Sequence, residues 1–360
     1  MKIRDFKGLL VCLVLFGIGC IFASCSEKEN ISPEPQNNTP IEVSADTEWK
    51  PLAKATMVDN DVLYRGGFVV WGHWKKISGD NLNYTGDYSS GATHKVFGEK
   101  GTKVTHTSPA APESGKWDYN PKRFWSRGIY LFAAAAPSDM FQSSYPSKST
   151  GALGTIGENS FTLDFGTGIN VETEQKELVV GLATKNNQND DVTGAVNFTL
   201  SHQFPQLNLQ AFTKDAYNNY KITSIELSGY HTIGKTLVLT SSTSTTWTYG
   251  TMPDISYTST GEWNIINGTE TNPVSIISGR LVIPQSNTVK VKVTFTETPT
   301  SVNGNLKQPI TRTAQGSISA VWQPDNIYTY KFELTPNGIR FGEPSVTPWG
   351  TVESIGGSQM

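Results

Sequence analysis

Val289-Lys290-Val291-Lys292-Val293-Thr294-Phe295 is the stretch that decides the fold. Its apolar residues fall on every second position, so an extended chain puts Val289, Val291, Val293 and Phe295 on one face and Lys290, Lys292 and Thr294 on the other. A helix would scatter the same residues around its axis. The period of two recurs on both sides of this stretch: Val196, Phe198 and Leu200; Leu207, Leu209 and Ala211; Ile225 and Leu227; Tyr328, Tyr330, Phe332 and Leu334. Asn303-Gly304 and Asn337-Gly338 supply turn pairs that tolerate positive φ. Toward the N-terminus, Ile41, Val43, Ala45, Thr47 and Trp49 alternate with Glu42, Ser44, Asp46, Glu48 and Lys50, predicting an amphipathic strand of ten residues. Further strand-like runs lie at 67–74, 129–136, 161–165 and 177–183, with long loops expected at 75–122 and 137–160. Outside residues 1–24, no stretch supports three helical turns. The expected fold class is all-β: two tandem antiparallel β-sandwich domains, at 40–190 and 191–360, divided at the polar run Asn186 to Asp191.

Composition narrows the function. The chain has 360 residues, 29 Lys+Arg against 32 Asp+Glu, a net charge of -3 and a pI near 6.0. That balance lacks the basic footprint of a nucleic-acid binder. Nine Trp, 13 Tyr and 16 Phe supply enough apolar area to exclude disorder. Residues 1–24 read as a lipoprotein signal peptide: Lys2, Arg4 and Lys7 precede a 16-residue apolar stretch from Gly8 to Ala23. Phe22-Ala23-Ser24-Cys25 resembles a bacterial lipobox, with Cys25 the expected lipidation site and Cys20 its rival. All three cysteines, Cys12, Cys20 and Cys25, lie at or before residue 25, so the exported part can hold neither a disulfide nor a thiolate metal site. Residues 25–39, with Pro33, Pro35, Asn37 and Asn38, read as a flexible tether off the membrane.

Signs of catalysis are weak. His73, His94, His106, His202 and His231 show no HxH or HExxH spacing, and neither GxSxG nor GxxxxGK[ST] occurs. A non-enzymatic role without cofactor or metal is therefore expected. His202, at the end of a buried-type strand, reads as a hydrogen-bonded strand-end imidazole. Asp59, Asn60 and Asp61, or Asn189, Asp190 and Asp191, offer hard oxygens for calcium but read more simply as loop polar groups. Trp71, Trp74, Trp117, Trp125, Trp247 and Trp263 are candidate stacking platforms for a glycan, the basis of an alternative reading as a glycan-binding surface lipoprotein.

The order of motifs resembles the fimbrillin family of Bacteroidetes surface lipoproteins, the subunits of protease-activated pili. The resemblance rests on the lipobox leader, Ala53-Lys54-Ala55-Thr56, Tyr130-Leu131-Phe132-Ala133-Ala134-Ala135-Ala136-Pro137, Val196 to His202, Leu281-Val282-Ile283-Pro284-Gln285, Trp322 with Ile327 to Phe332, and Val346-Thr347-Pro348-Trp349. Asp325-Asn326 departs from the Gly-Lys that often precedes the Tyr-x-Tyr strand. The resemblance implies a transthyretin-like sandwich, anchored first in the outer membrane through lipid and then built into a fimbrium. It implies that a trypsin-like protease removes the first strand (Ile41, Val43, Trp49) by cutting at Lys54-Ala55, with Lys50 and Arg65 as competing sites. An Arg-only protease would fail at Lys54. The vacated groove would accept a donor strand from another pilus subunit, supplied by a C-terminal tail carrying Val346, Trp349, Val352 and Ile355. A tip adhesin, which accepts a strand without donating one, and a host glycan or protein receptor fall within the same resemblance.

Overall fold

The computed structural model describes residues 39–47, 60–76, 94–97, 100–142, 149–153, 159–187, 194–241, 244–265, 269–300 and 308–348. Among them, four sheets account for nearly all of the regular structure. The first has eight strands. It runs β1 (Val43–Thr47), β10 (Val196–His202), β9 (Val179–Asn187), β6 (Gly128–Ala136), β2 (Phe68–Lys76), β4 (Thr102–His106) and β5 (Trp117–Asp118), with β3 (His94–Lys95) also paired to β2. The second is β14 (Thr245–Tyr249), β13 (Ile233–Leu239), β8 (Phe161–Asn170) and β7 (Thr150–Leu153). The third is β16 (Val274–Leu281), β11 (Gln206–Phe212), β19 (Asn326–Thr335) and β20 (Gly338–Phe341), with β21 (Ser345–Pro348) also on β19. The fourth is β15 (Tyr257–Ile265), β12 (Asn218–Ser228), β17 (Gln285–Pro299) and β18 (Ile310–Trp322). The described helices are short, α1 (Asn60–Gly66) and α2 (Val171–Glu174) among them.

Three apolar clusters hold these layers together. Val289, Val291, Val293 and Phe295 of β17 are all buried in one cluster with Tyr328, Tyr330, Phe332 and Leu334 of β19, which closes the third sheet onto the fourth. The first sheet is buried on both faces. Successive residues of β6 go to different clusters: Leu131, Ala133 and Ala135 face the second sheet with Val69, Trp71, Leu163 and Leu237, whereas Tyr130, Phe132, Ala134 and Ala136 face Phe68, Trp125 and Phe198. Small side chains at 133–136 suit a strand enclosed on both sides.

The fold is all-β, and most pairings are antiparallel. Two are parallel, β1 with β10 and β11 with β19. Parallel neighbours need long crossovers, here nearly the whole first sandwich between β1 and β10. Residue 190 lies in the connection between β9 and β10, two strands of one sheet. The β13–β14 hairpin pairs with β8, so sequence from both sides of residue 190 builds the second sheet. The expected loop at 75–122 contains β3, β4 and β5, and β7 falls within the expected loop at 137–160. The β19–β20 hairpin closes through Pro336-Asn337, one residue ahead of the expected Asn337-Gly338 pair: Gly338, at φ +144°, is already the first residue of β20 and sits opposite Thr335. Asp325, before β19, takes a left-handed φ of +59°, a conformation that Asp tolerates better than most residues, so this turn forms without the Gly-Lys pair.

Candidate functional site

The N-terminal segment 39–47 leads into β1, the strand at the end of the first sheet. Alternation places Ile41, Val43, Ala45 and Thr47 inward, each 1–4% exposed, and Glu42 and Asp46 outward. The three apolar side chains join a cluster with Leu63, Phe68, Val104, Tyr119, Trp125, Val196, Phe198 and Leu200. Burying a side chain the size of Ile or Val stabilises by about 1.5–3 kcal/mol.

Backbone groups fix the same segment along its length. β1 runs parallel to β10 from Val43 opposite Val196 to Thr47 opposite Leu200. The Val196 N–H donates to the Glu42 carbonyl at 2.7 Å, and the Ser44 hydroxyl donates to Asn197 Oδ1 at 2.6 Å. At the N-terminal end, the Ile41 N–H donates to the Arg123 carbonyl at 2.8 Å, and the Trp125 N–H donates to the Thr39 carbonyl at 3.1 Å. The buried Tyr119 hydroxyl donates to the Ile41 carbonyl at 2.7 Å. Burial pushes the Tyr119 phenol up to about 12, so it keeps its donor proton far above neutrality. At the C-terminal end, Asn60 Oδ1 accepts from the Thr47 N–H at 2.8 Å and from the Thr47 hydroxyl at 3.1 Å. Asn60 is the first residue of α1, and buried Leu63 seats that helix on the cluster shared with β1.

β10, the strand that receives β1, ends in a buried ion-pair contact between His202 Nδ1 and Glu177 Oε1. Burial by itself lowers the His202 pKa, but the Glu177 carboxylate in contact with it and Asp325 nearby outweigh that penalty and raise it. A second link ties α2 to β16. The Arg280 guanidinium donates to both carboxylate oxygens and the backbone carbonyl of Glu172, and lies 3.8 Å from the centre of the Tyr257 ring.

Ile41 and Val43 are thus placed together in one groove. Trp49, Lys54 and Ala55 lie outside the described residues, as do Cys25, Trp349, Val352 and Ile355. Of the two competing cleavage positions, Lys50 also lies outside the described residues, and Arg65 lies in α1 with its side chain 3.9 Å from Asp61. Val346 lies on β21, opposite Tyr328 and 48% exposed. Pro344 falls in the break between β20 and β21, and Pro348 ends β21. Trp71, Trp74, Trp125 and Trp247 are core residues, which corrects their reading as stacking platforms, because rings packed inside the sandwich present no face to a sugar. Trp117 is partly covered and stacks on Tyr64. Asn60 is occupied with Thr47 rather than poised for a cation, and among the described residues no group of three His, Cys, Asp or Glu side chains could hold a metal ion. Sequence reasoning missed Tyr119, Arg123, Trp125 and Asn60 as the groove's polar partners. An Asn at a helix start is a weak signal, and the others carry none.

The first sheet thus ends in a strand, β1, whose inward side chains complete the apolar cluster beside β10. The chain belongs to the fimbrillin-like family, whose model matches residues 80–349, and is thereby a subunit of the fimbrial and adhesion class. Among solved structures it is similar to a fimbrial protein from Bacteroides vulgatus, with 16% identity, 87% of this chain and 100% of that one covered, and a TM-score of 0.56. It is also similar to a fimbrial assembly protein from Parabacteroides distasonis, with 11% identity, 86% and 99% coverage and a TM-score of 0.39. No curated protein matches the chain in sequence.

Proposed function

We propose that this protein is a structural pilus subunit exported as a lipoprotein on Cys25, activated by proteolytic removal of its first strand at Lys54-Ala55, and polymerised by donor-strand exchange in support of adhesion. The observation that carries this reading is the seating of residues 39–47: inward side chains 1–4% exposed, held by non-covalent contacts at the end of a sheet. Its loss would open an apolar groove beside the free edge of β10, a surface that another strand fills by β-augmentation. The donor is the C-terminal tail with Val346, Trp349, Val352 and Ile355, and the partners are further pilus subunits and a trypsin-like protease. Before cleavage the protein sits on the outer membrane, and afterwards in the fimbrium.

The deciding experiment is the N-terminal residue and intact mass of the protein taken from the cell surface. A terminus at Ala55, or directly after another basic residue between 50 and 66, is the expected result. A terminus at acylated Cys25 on all surface protein would overturn strand removal. Deleting residues 346–360 then separates a shaft subunit, which stops polymerising, from a tip adhesin, which still incorporates.

A further inference from the structure

The C-terminal end of the first strand is held by a residue from the far side of the expected cut. Asn60 Oδ1 takes both the backbone N–H and the hydroxyl of Thr47, while Lys54 lies between these two residues in the chain. The remaining hydrogen bonds of residues 39–47 described above go to β10, Tyr119, Arg123 and Trp125, and their apolar side chains also share a cluster with Leu63, Phe68 and Val104. None of these partners lies within 48–59. Hydrolysis of a peptide bond there consumes one water, leaves a carboxylate on the N-terminal piece and an amine on the body, and removes none of these contacts.

Cutting the chain therefore turns an intramolecular docking into a bimolecular complex, whose lifetime is set by the contacts that hold the fragment. Resting on the reading that the first strand is cut away, we infer that cleavage and release are separate steps, and that Asn60 is the latch that keeps the cut strand docked until another strand displaces it. The cut strand continues to cover the groove, so a processed subunit does not expose its apolar cluster before a partner strand arrives. The latch acts on the last residue of β1, and opening it frees Thr47 without disturbing Ile41 or Val43.

The test uses the full chain with one recognition sequence for a site-specific protease in place of residues 51–56. After complete cutting, retention of the N-terminal fragment is followed over time by gel filtration and intact mass spectrometry. The fragment is expected to co-elute with the body at equal stoichiometry. Asn60→Ala is expected to release it about ten-fold faster, and Asn60→Asp, which keeps an acceptor oxygen, at an unchanged rate. Thr47→Val, which removes only the hydroxyl donor, should give a smaller increase in the same direction. Immediate loss of the fragment from the otherwise unsubstituted protein, or equal release rates with and without Asn60, would overturn the latch. Cut protein that has shed its fragment and still does not associate with other copies would instead sink the proposed function and leave the latch standing.

Discussion

β1 and β21 are both short terminal strands, of five and four residues, each laid against one longer strand. β1 buries every inward side chain and is parallel to a strand far along the chain. β21 is antiparallel to β19, leaves Val346 half exposed, and follows β20 along the same edge after a break that contains Pro344. A buried strand is stabilised mainly by apolar area, whereas an exposed edge strand depends on ladder hydrogen bonds of about 0.5–1.5 kcal/mol each. The contrast suits a strand that must be cut before its groove opens and a strand that can leave its own sheet at little expense.

Deleting residues 39–47 should lower the thermal midpoint by well over ten degrees and expose a dye-binding apolar surface, because Ile41 and Val43 alone account for about 3–6 kcal/mol of burial. Deleting 345–360 should leave the midpoint within a few degrees. Equal losses from the two deletions would break the comparison. Next in size is His202, which fixes the end of the strand that receives β1. Replacing it with Ala removes its contact with the buried Glu177 carboxylate and should cost about 3–5 kcal/mol in urea unfolding. The sign of the pH dependence follows from its raised folded-state pKa. Its stabilisation is complete below the unfolded value of about 6.5 and is lost as pH rises through the folded value. The unfolding midpoint of the unsubstituted protein should therefore fall over that window, and His202→Gln should remove that slope.

Smaller changes sharpen the contrast at single positions. Val43→Ala should cost about 2 kcal/mol through lost burial and the cavity left behind. Tyr119→Phe should cost about 1 kcal/mol, since it removes the donor to the Ile41 carbonyl. Because burial raises the Tyr119 pKa to about 12, the unfolded chain loses this proton first. Stability should then fall as pH climbs from about 10 toward 12, and the phenylalanine variant should lack that decline.

The parts of the fold written in the sequence are those with one buried face. The alternation in β17 and β19 names their core residues directly, and Ile41, Val43, Ala45 and Thr47 are the inward face of the first strand. Its expected extent of ten residues compares with five described in β1, the last three lying outside the described residues. The exchange of strands between halves is silent in sequence. Nothing local in residues 233–249 distinguishes a hairpin of the second sheet from one of the fourth, and parallel pairing of Val43 with Val196 is a contact across 153 positions. The tryptophans misled for a related reason. Composition cannot tell an exposed ring from Trp71, which is 3% exposed between two sheets. The groove's polar partners were hidden as well, because Tyr119 and Arg123 act through a hydroxyl and a carbonyl whose direction only the fold sets.

The smallest effect carries the most discrimination. Val346→Ala removes two methyl groups that are half in water already, so the folded monomer should change by no more than about 0.5 kcal/mol in urea unfolding. If β21 is only the last strand of its own sheet, polymerisation should be equally insensitive. If it is the start of a donor, the same valine enters a groove like the one that buries Val43 to 4% exposure, and there the lost methyl groups cost the full burial energy. Subunit association should then weaken by about ten-fold or more, although the monomer is unchanged. Monomer stability and polymer yield measured on one preparation separate the cases. A loss of polymer without a loss of stability assigns Val346 to a partner's groove, and parallel loss or joint indifference confines it to β19.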